Sequence, residues 1–170
     1  NDPAAMTGYA RECRALGVPY IYDPSQQVAR LSGGDLRDGV AGSRAVICNE
    51  YEFQIVREKT GLDEAAMLSA AEAVVVTKGD QGAAIHLRER TIRVDAVPPC
   101  EVIDPTGVGD AFRGGMLKGL ALGADWATCG RLGSVAAAFA LEHLGGSSHA
   151  YTWPEFKARY ERHFGPLTAG

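Results

Sequence analysis

The chain has 170 residues and a mass of 18.0 kDa, enough for one core of ordinary domain size, and its 46% hydrophobic and 22% charged residues exclude disordered and fibrous classes. Seventeen Lys and Arg against 21 Asp and Glu leave a net charge of −4 with no block of like charge, so no nucleic-acid partner is expected. The longest clean apolar run, residues 135–141, is too short to cross a bilayer, and no membrane association is expected.

Asn1-Asp2-Pro3 carries neither Met nor a targeting segment, so the chain is expected to start within a longer protein, and Asp2-Pro3 reads as a helix N-cap and first helical residue. A helix is predicted over 3–16, stopped by Gly17, then a short buried strand over 18–22 closed by Asp23-Pro24-Ser25. Further along, a strand is predicted over 45–48, a helix over 50–60 ended by Gly61, and a helix over 63–71. The apolar run 74–77 reads as a parallel strand covered on both faces. Strands over 83–87 and 91–94 read as a hairpin. A strand over 101–103 then leads into a glycine-rich turn, followed by helices over 110–122, 125–143 and 154–163. This alternation predicts an α/β sheet with helices on both faces.

The four cysteines, Cys13, Cys48, Cys100 and Cys129, form no CxxC pair and fall in segments that read as helix or strand. Buried thiols in a reducing, cytoplasmic setting are expected, rather than a disulfide framework or structural zinc. His86, His143 and His163 have no metal-ligand spacing.

The stretch richest in chemistry is Asp104-Pro105-Thr106-Gly107-Val108-Gly109-Asp110-Ala111-Phe112. Glycines let a backbone approach an anion, and the N–H groups and dipole of the following helix attract phosphate oxygens. The same residues also suit a plain tight turn with an acid in the first helical turn. A third glycine where Phe112 stands would make a dinucleotide-binding fingerprint, and Gly-Lys-Ser/Thr would make a Walker A loop; neither is present.

This turn, followed by Gly114-Gly115, resembles the C-terminal signature of the ribokinase-like (PfkB-type) carbohydrate and nucleoside kinases, and within them the bacterial adenosine kinases. The resemblance covers nearly the whole chain as the C-terminal portion of such a kinase, and it implies a ribokinase-like three-layer sandwich with a mostly parallel sheet. It implies Asp110 as catalytic base, with the backbone N–H groups of Gly107, Val108, Gly109 and Asp110 as the anion hole. Val108 stands where the family has a smaller residue, but only its backbone is used. Asn49 and Glu52 match an Asn-x-x-Glu element that holds Mg²⁺ through ordered water; they also read as an N-cap and its capping-box partner. Thr77, Gly79 and Gly82 match a turn beside the nucleotide, and Gly133, Ala136 and Ala137 match the small-residue wall that accepts adenine, although such residues also serve close helix packing.

Asp104, Thr106 and Gly145 fall where family members hold a monovalent cation such as K⁺, with His149 replacing a short hydroxyl residue. Asp23-Pro24-Ser25-Gln26-Gln27-Val28-Ala29 resembles the nucleoside branch rather than the Asp-x-Asn-x-Arg of sugar kinases. The implied reaction is phosphorylation of adenosine by ATP·Mg²⁺, with a sugar kinase or a non-catalytic nucleotide-binding module as alternatives. An alcohol at ~15.7 and an aspartic acid at ~3.9 in water differ by about 12 pKa units, so Asp110 is expected to orient the hydroxyl and take its proton late. The acceptor pocket, the lid and any dimer contact through that lid are expected in the amino-terminal part that this chain lacks, so the 170 residues alone are expected to be inactive.

Overall fold

Local signals start and stop the first helix: the Asp2 side chain accepts from the Ala5 N–H, Pro3 occupies the first turn, and Gly17 ends it in the left-handed region at φ 66°. This computed structural model of the chain describes residues 2–167. In chain order it contains α1 (Pro3–Leu16), β1 (Ile21–Tyr22), α2 (Gly33–Val40), β2 (Ala45–Asn49), α3 (Glu50–Thr60), α4 (Glu64–Ala70), β3 (Ala73–Thr77), β4 (Ala83–His86), β5 (Thr91–Val94), α5 (Val108–Ala121), α6 (Trp126–Leu141) and α7 (Trp153–Phe164). The five strands form one sheet in the order β1-β2-β3-β4-β5. β2 is parallel to both β1 and β3, with Asn49 opposite Thr77 at the carboxyl ends of β2 and β3. β4 and β5 are joined by a tight turn in which the Leu87 N–H donates to the Arg90 carbonyl at 2.9 Å.

Two predicted strands differ in the structure. Of residues 18–22 only Ile21–Tyr22 is strand, because the Val18 N–H donates back to the Cys13 carbonyl to close α1 and Pro19 has no N–H to give. Val18 is accordingly half exposed rather than buried. Residues 101–103 form no strand: the Ile103 and Asp104 N–H groups both donate to the Leu141 carbonyl, and Val102 and Ile103 are exposed. Cys100 is likewise exposed and lies in a bend, not in a regular element, while Cys13 is only partly covered; Cys48 and Cys129 are buried as expected. A helix the sequence reading passed over, α2, is nucleated by a capping box in which Ser32 and Asp35 satisfy each other's backbone N–H groups.

The chain divides into two compact units, one built from residues up to Lys78 with Ala84–Ile92, the other from Gly79–Ala83 and from Arg93 onward. In the first, Ala45, Val46, Ile47, Cys48, Ala73, Val74 and Val75 are fully buried, so both faces of β2 and β3 are covered, as a parallel strand requires. One face packs Val46, Val74 and Val76 against Leu36, Val40, Val56 and Met67 from α2, α3 and α4, each such side chain contributing about 1.5–3 kcal/mol on burial.

In the second unit α5 and α6 run against each other at glycines. A Cβ on Gly115 would lie 2.5 Å from the Leu132 carbonyl oxygen and 2.7 Å from the Gly133 Cα, and one on Gly133 would lie 2.8 Å from the Phe112 carbonyl oxygen. Gly114, one residue away, has open space. Gly115→Ala should therefore destabilise the full-length protein by about 1–3 kcal/mol through forced separation of the helices, whereas Gly114→Ala should stabilise it by about 0.5–1 kcal/mol through reduced unfolded-state freedom. Urea midpoints check both; equal midpoints would mean that the two helices have room to spare.

Candidate active site

The candidate residues fall into two groups, one in each compact unit. The second unit holds the glycine-rich turn. Gly107 sits at the start of α5 with φ 78°, a left-handed conformation that glycine adopts without strain, and a Cβ there would lie 2.5 Å from the Gly146 Cα. Two independent constraints therefore demand glycine at this position. Asp104 clamps the approach: its Oδ1 accepts the Thr106 N–H and its Oδ2 the Gly145 N–H, both at 2.8 Å. Asp104, Thr106 and Gly145 are thus brought together.

α5 begins two residues earlier than the sequence reading placed it, so Val108, Gly109 and Asp110 form its first turn. No side chain caps that turn. Among the described residues every other α-helix is capped by its own side chain, from Asp2, Ser32, Asn49, Asp63, Asp125 or Thr152. A first turn without a side-chain acceptor presents N–H groups and the positive end of the helix dipole to an incoming anion; here the Val108 N–H makes a long 3.4 Å bond to the Pro105 carbonyl, and the Gly109 and Asp110 N–H groups follow it. The Asp110 carboxylate is exposed beside it, with Arg113 Nη1 3.5 Å away. A Cβ on Gly109 would lie 2.7 Å from that same guanidinium nitrogen. Arg113 is a residue that sequence reasoning missed; its place three residues after Asp110 on the helix was the available signal.

Gly79 opens and Gly82 follows a single 3₁₀ turn, both in the left-handed region, and a Cβ on Gly82 would collide with the Val94 carbonyl. Gly133 and Ala136 are buried, Gly133 against Phe112 and Ala136 in the core with Val97, Val135 and Phe156, while Ala137 is partly exposed. Helix packing is by itself a complete reason for a glycine at position 133.

The first unit holds the remaining candidates at the carboxyl ends of β2 and β3, where open α/β sheets bind ligands. Asn49 and Glu52 form the capping box of α3: the Glu52 N–H donates to Asn49 Oδ1 at 2.8 Å and the Asn49 N–H to Glu52 Oε2 at 2.9 Å. Glu52 is buried, and among the described residues it makes no ion pair. A buried carboxylate held only by backbone N–H is costly, and a cation with its waters would relieve it. Thr77 stands opposite Asn49, its Oγ1 3.5 Å from the Cys48 carbonyl. A cavity of about 680 Å³ in this unit lies among residues 42–43, 69–72 and 87–90, at the amino ends of β2 and β3, and contains none of the candidates.

The hydrogen bonds from Thr106, side chain and backbone, and then from the Gly145 N–H hold the Asp104 carboxyl below the usual aspartate range. A carboxyl with a depressed folded-state pKa stabilises the fold above its unfolded value, and the contribution is lost as pH falls through the folded value. Asp104→Asn should thus lower the urea midpoint at neutral pH, with the gap to wild type closing as pH drops below ~4. A gap that persists unchanged down to the acid transition would show that the carboxylate charge does not matter there.

The pattern of the pfkB family carbohydrate kinases matches residues 2–153. The nucleoside kinase of Methanocaldococcus jannaschii is 30% identical over 142 residues, covering 84% of this chain and 47% of its own length. That of Methanothermobacter thermautotrophicus is 30% identical over 166 residues, covering 97% and 53%. The solved structure of Burkholderia thailandensis nucleoside kinase in complex with ADP-inosine superposes with a TM-score of 0.93 at 40% identity, over 96% of this chain and 51% of that one. The chain spans about half the length of the curated relatives it matches. With a match that begins before α1, crosses the glycine-rich turn and reaches the first residue of α7, the chain belongs to the pfkB family carbohydrate kinases and has the ribokinase-like fold.

Proposed function

We propose that this chain carries the phosphate-handling half of a nucleoside kinase that transfers the γ-phosphoryl group of ATP to a hydroxyl of adenosine. The observation that carries the reading is the first turn of α5, the one α-helix start among the described residues without a side-chain cap, with an exposed carboxylate on its third residue. The N–H groups of Gly109 and Asp110, joined by that of Val108 when it exchanges its long bond to the Pro105 carbonyl for phosphate, stabilise the charge that spreads over the transferring group's oxygens, the main task of a catalyst for phosphoryl transfer. Asp110 orients the acceptor hydroxyl and receives its proton as the bond to phosphorus forms. Arg113, within reach of Asp110, adds positive charge to the same turn.

Mg²⁺, when bound, neutralises phosphate charge. Asn49 and Glu52 would hold it through water, and the burial of Glu52 without an ion pair among the described residues supports that assignment. Thr77, Gly79, Gly82 and Ala137 are assigned to the nucleotide, with Gly133 setting the close packing of α6 against α5. Each oxygen of Asp104 spends one acceptor site on a backbone N–H, so the carboxylate keeps capacity for a monovalent cation such as K⁺ near Thr106 and Gly145.

The relatives' greater length supports placing the lid and most of the acceptor pocket outside these 170 residues, which alone should not turn over. The nucleoside acceptor rests on the nucleoside kinases among the relatives and on the Asp23-Pro24-Ser25-Gln26-Gln27 turn. The inosine moiety in the Burkholderia complex favours hypoxanthine as a second base to test.

The test is steady-state phosphoryl transfer by the full-length protein against adenosine, inosine, cytidine, ribose and fructose, for wild type and Asp110→Asn. Adenosine should exceed the free sugars at least ~10-fold in kcat/KM, about 1.4 kcal/mol of differential transition-state binding. The variant should keep ATP binding and lose ~10² to 10⁴ in kcat. Preference for a free sugar sinks the nucleoside assignment, a preference for inosine moves it to another base, and a variant within about threefold of wild type removes Asp110 from the chemistry.

A further inference from the structure

An ion pair lies just outside the glycine-rich turn, between Glu142 and Arg159. α6 ends at Leu141, and Glu142 occupies its C-cap. The Glu142 carboxylate faces two ways: Oε1 accepts the backbone N–H of Cys100 at 2.6 Å, and Oε1 and Oε2 lie 2.8 and 3.1 Å from Arg159 Nη2. Arg159 belongs to α7; its guanidinium carbon sits 4.0 Å from the centroid of the Phe139 ring, and Nη2 reaches Cys100 Sγ at 3.4 Å. Both charged side chains are largely covered, at 13% and 14% exposure. Burial alone would push the Glu142 carboxyl up, but the Arg159 contact and the Cys100 N–H outweigh it and keep the group below the usual glutamate range, hence ionised.

One pair therefore joins three segments: the loop after β5, the end of α6, and α7. Each of the first two runs directly into the site. Four residues beyond Cys100 stands Asp104, and three beyond Glu142 stands Gly145, whose N–H Asp104 accepts. Between these ties the Ile103 and Asp104 N–H groups donate to Leu141, next to Glu142. The two segments then meet where Gly107 touches Gly146. Removing either charge leaves the other buried without its partner, so the strain falls on the segments that the pair connects.

We propose that Glu142 and Arg159 are positioning residues for phosphoryl transfer, holding residues 100–107 and 142–146 in the register that aims the first-turn N–H groups of α5, so that α7 governs catalysis without touching substrate. This rests on the kinase reading above.

The test uses the full-length protein with Glu142→Gln, Arg159→Met and Arg159→Lys. Two readouts are needed: hydrogen exchange of peptides covering 101–110, 142–149, 153–164 and 45–49, and kcat with KM for the nucleoside well below the unfolding midpoint. Glu142→Gln and Arg159→Met should speed exchange in 101–110 and 142–149 at least ~5-fold and leave 45–49 unchanged, since the opening is local. They should lower kcat ~10-fold or more with KM nearly constant, the signature of misplaced transition-state groups. Arg159→Lys, which keeps the charge but loses the fork, should restore part of kcat. Faster exchange confined to 153–164 with unchanged kcat would overturn the proposal and leave the pair as an anchor of α7 alone. Should Arg159→Met fail to fold, Arg159→Lys decides by the same readouts. If wild type transfers no phosphoryl group to a nucleoside, the kinase reading falls by itself, and the exchange of 101–110 still decides whether the pair positions the turn.

Discussion

The close approach of Gly107 to Gly146, bridged by the Asp104 carboxylate, is the constraint on which the candidate site depends. A Cβ on Gly107 would collide with the Gly146 backbone at 2.5 Å, while one on Gly146 would meet the Gly107 Cα at a tight 3.3 Å, and two backbone N–H groups converge on one side chain only where that side chain accepts twice. Asp104 meets the second demand from a position just before the turn. The result is a helix start whose orientation is determined before any ligand arrives. Preorganisation of this kind matters most where catalysis is electrostatic, because donors already aimed need not reorganise at the moment of reaction.

Helix capping supplies the contrast. Most helices here spend an Asp, Asn, Ser or Thr to satisfy their own first-turn N–H groups, which stabilises each by about 1 kcal/mol. α5 forgoes that and begins at a glycine. In the first unit the capping box of α3 has the opposite character: Asn49 and Glu52 satisfy each other's backbone N–H groups, yet among the described residues the buried carboxyl has no ion-pair partner. A helix cap and a metal-binding pair are therefore compatible uses of the same two residues, since each oxygen has more than one acceptor site.

What the sequence made legible was what neighbours in sequence decide. Asp2-Pro3, Gly17, Asn49 with Glu52, and Gly61 mark helix ends through contacts three or four residues away, and α1 and α3 lie where those residues predict. The buried strands were legible from their unbroken apolar runs. Long-range hydrogen bonding was not: residues 101–103 look like a strand, but their N–H groups are drawn to the end of α6, some forty residues on. Similarly, three glycines in α2 hid a helix that Ser32 and Asp35 start and that Leu36 and Val40 bury. At the site, Asp104 and the residues of the glycine-rich turn stood out. Their mutual geometry did not, because Gly145 and Gly146 are distant in sequence; Arg113 was within reach of the i,i+3 rule once Asp110 was placed on a helix, but the Glu142–Arg159 pair belongs to no local pattern.

The central claim is that the first turn of α5 receives the phosphate being transferred. It is tested most directly by following the backbone amide resonances of the full-length protein during titration with Mg²⁺ and a non-hydrolysable ATP analogue. Amides that donate to a phosphate move strongly, so the account predicts the largest shifts at Val108, Gly109 and Asp110, with smaller ones at Gly145 and Gly146. Saturable binding with those five amides unmoved would contradict it.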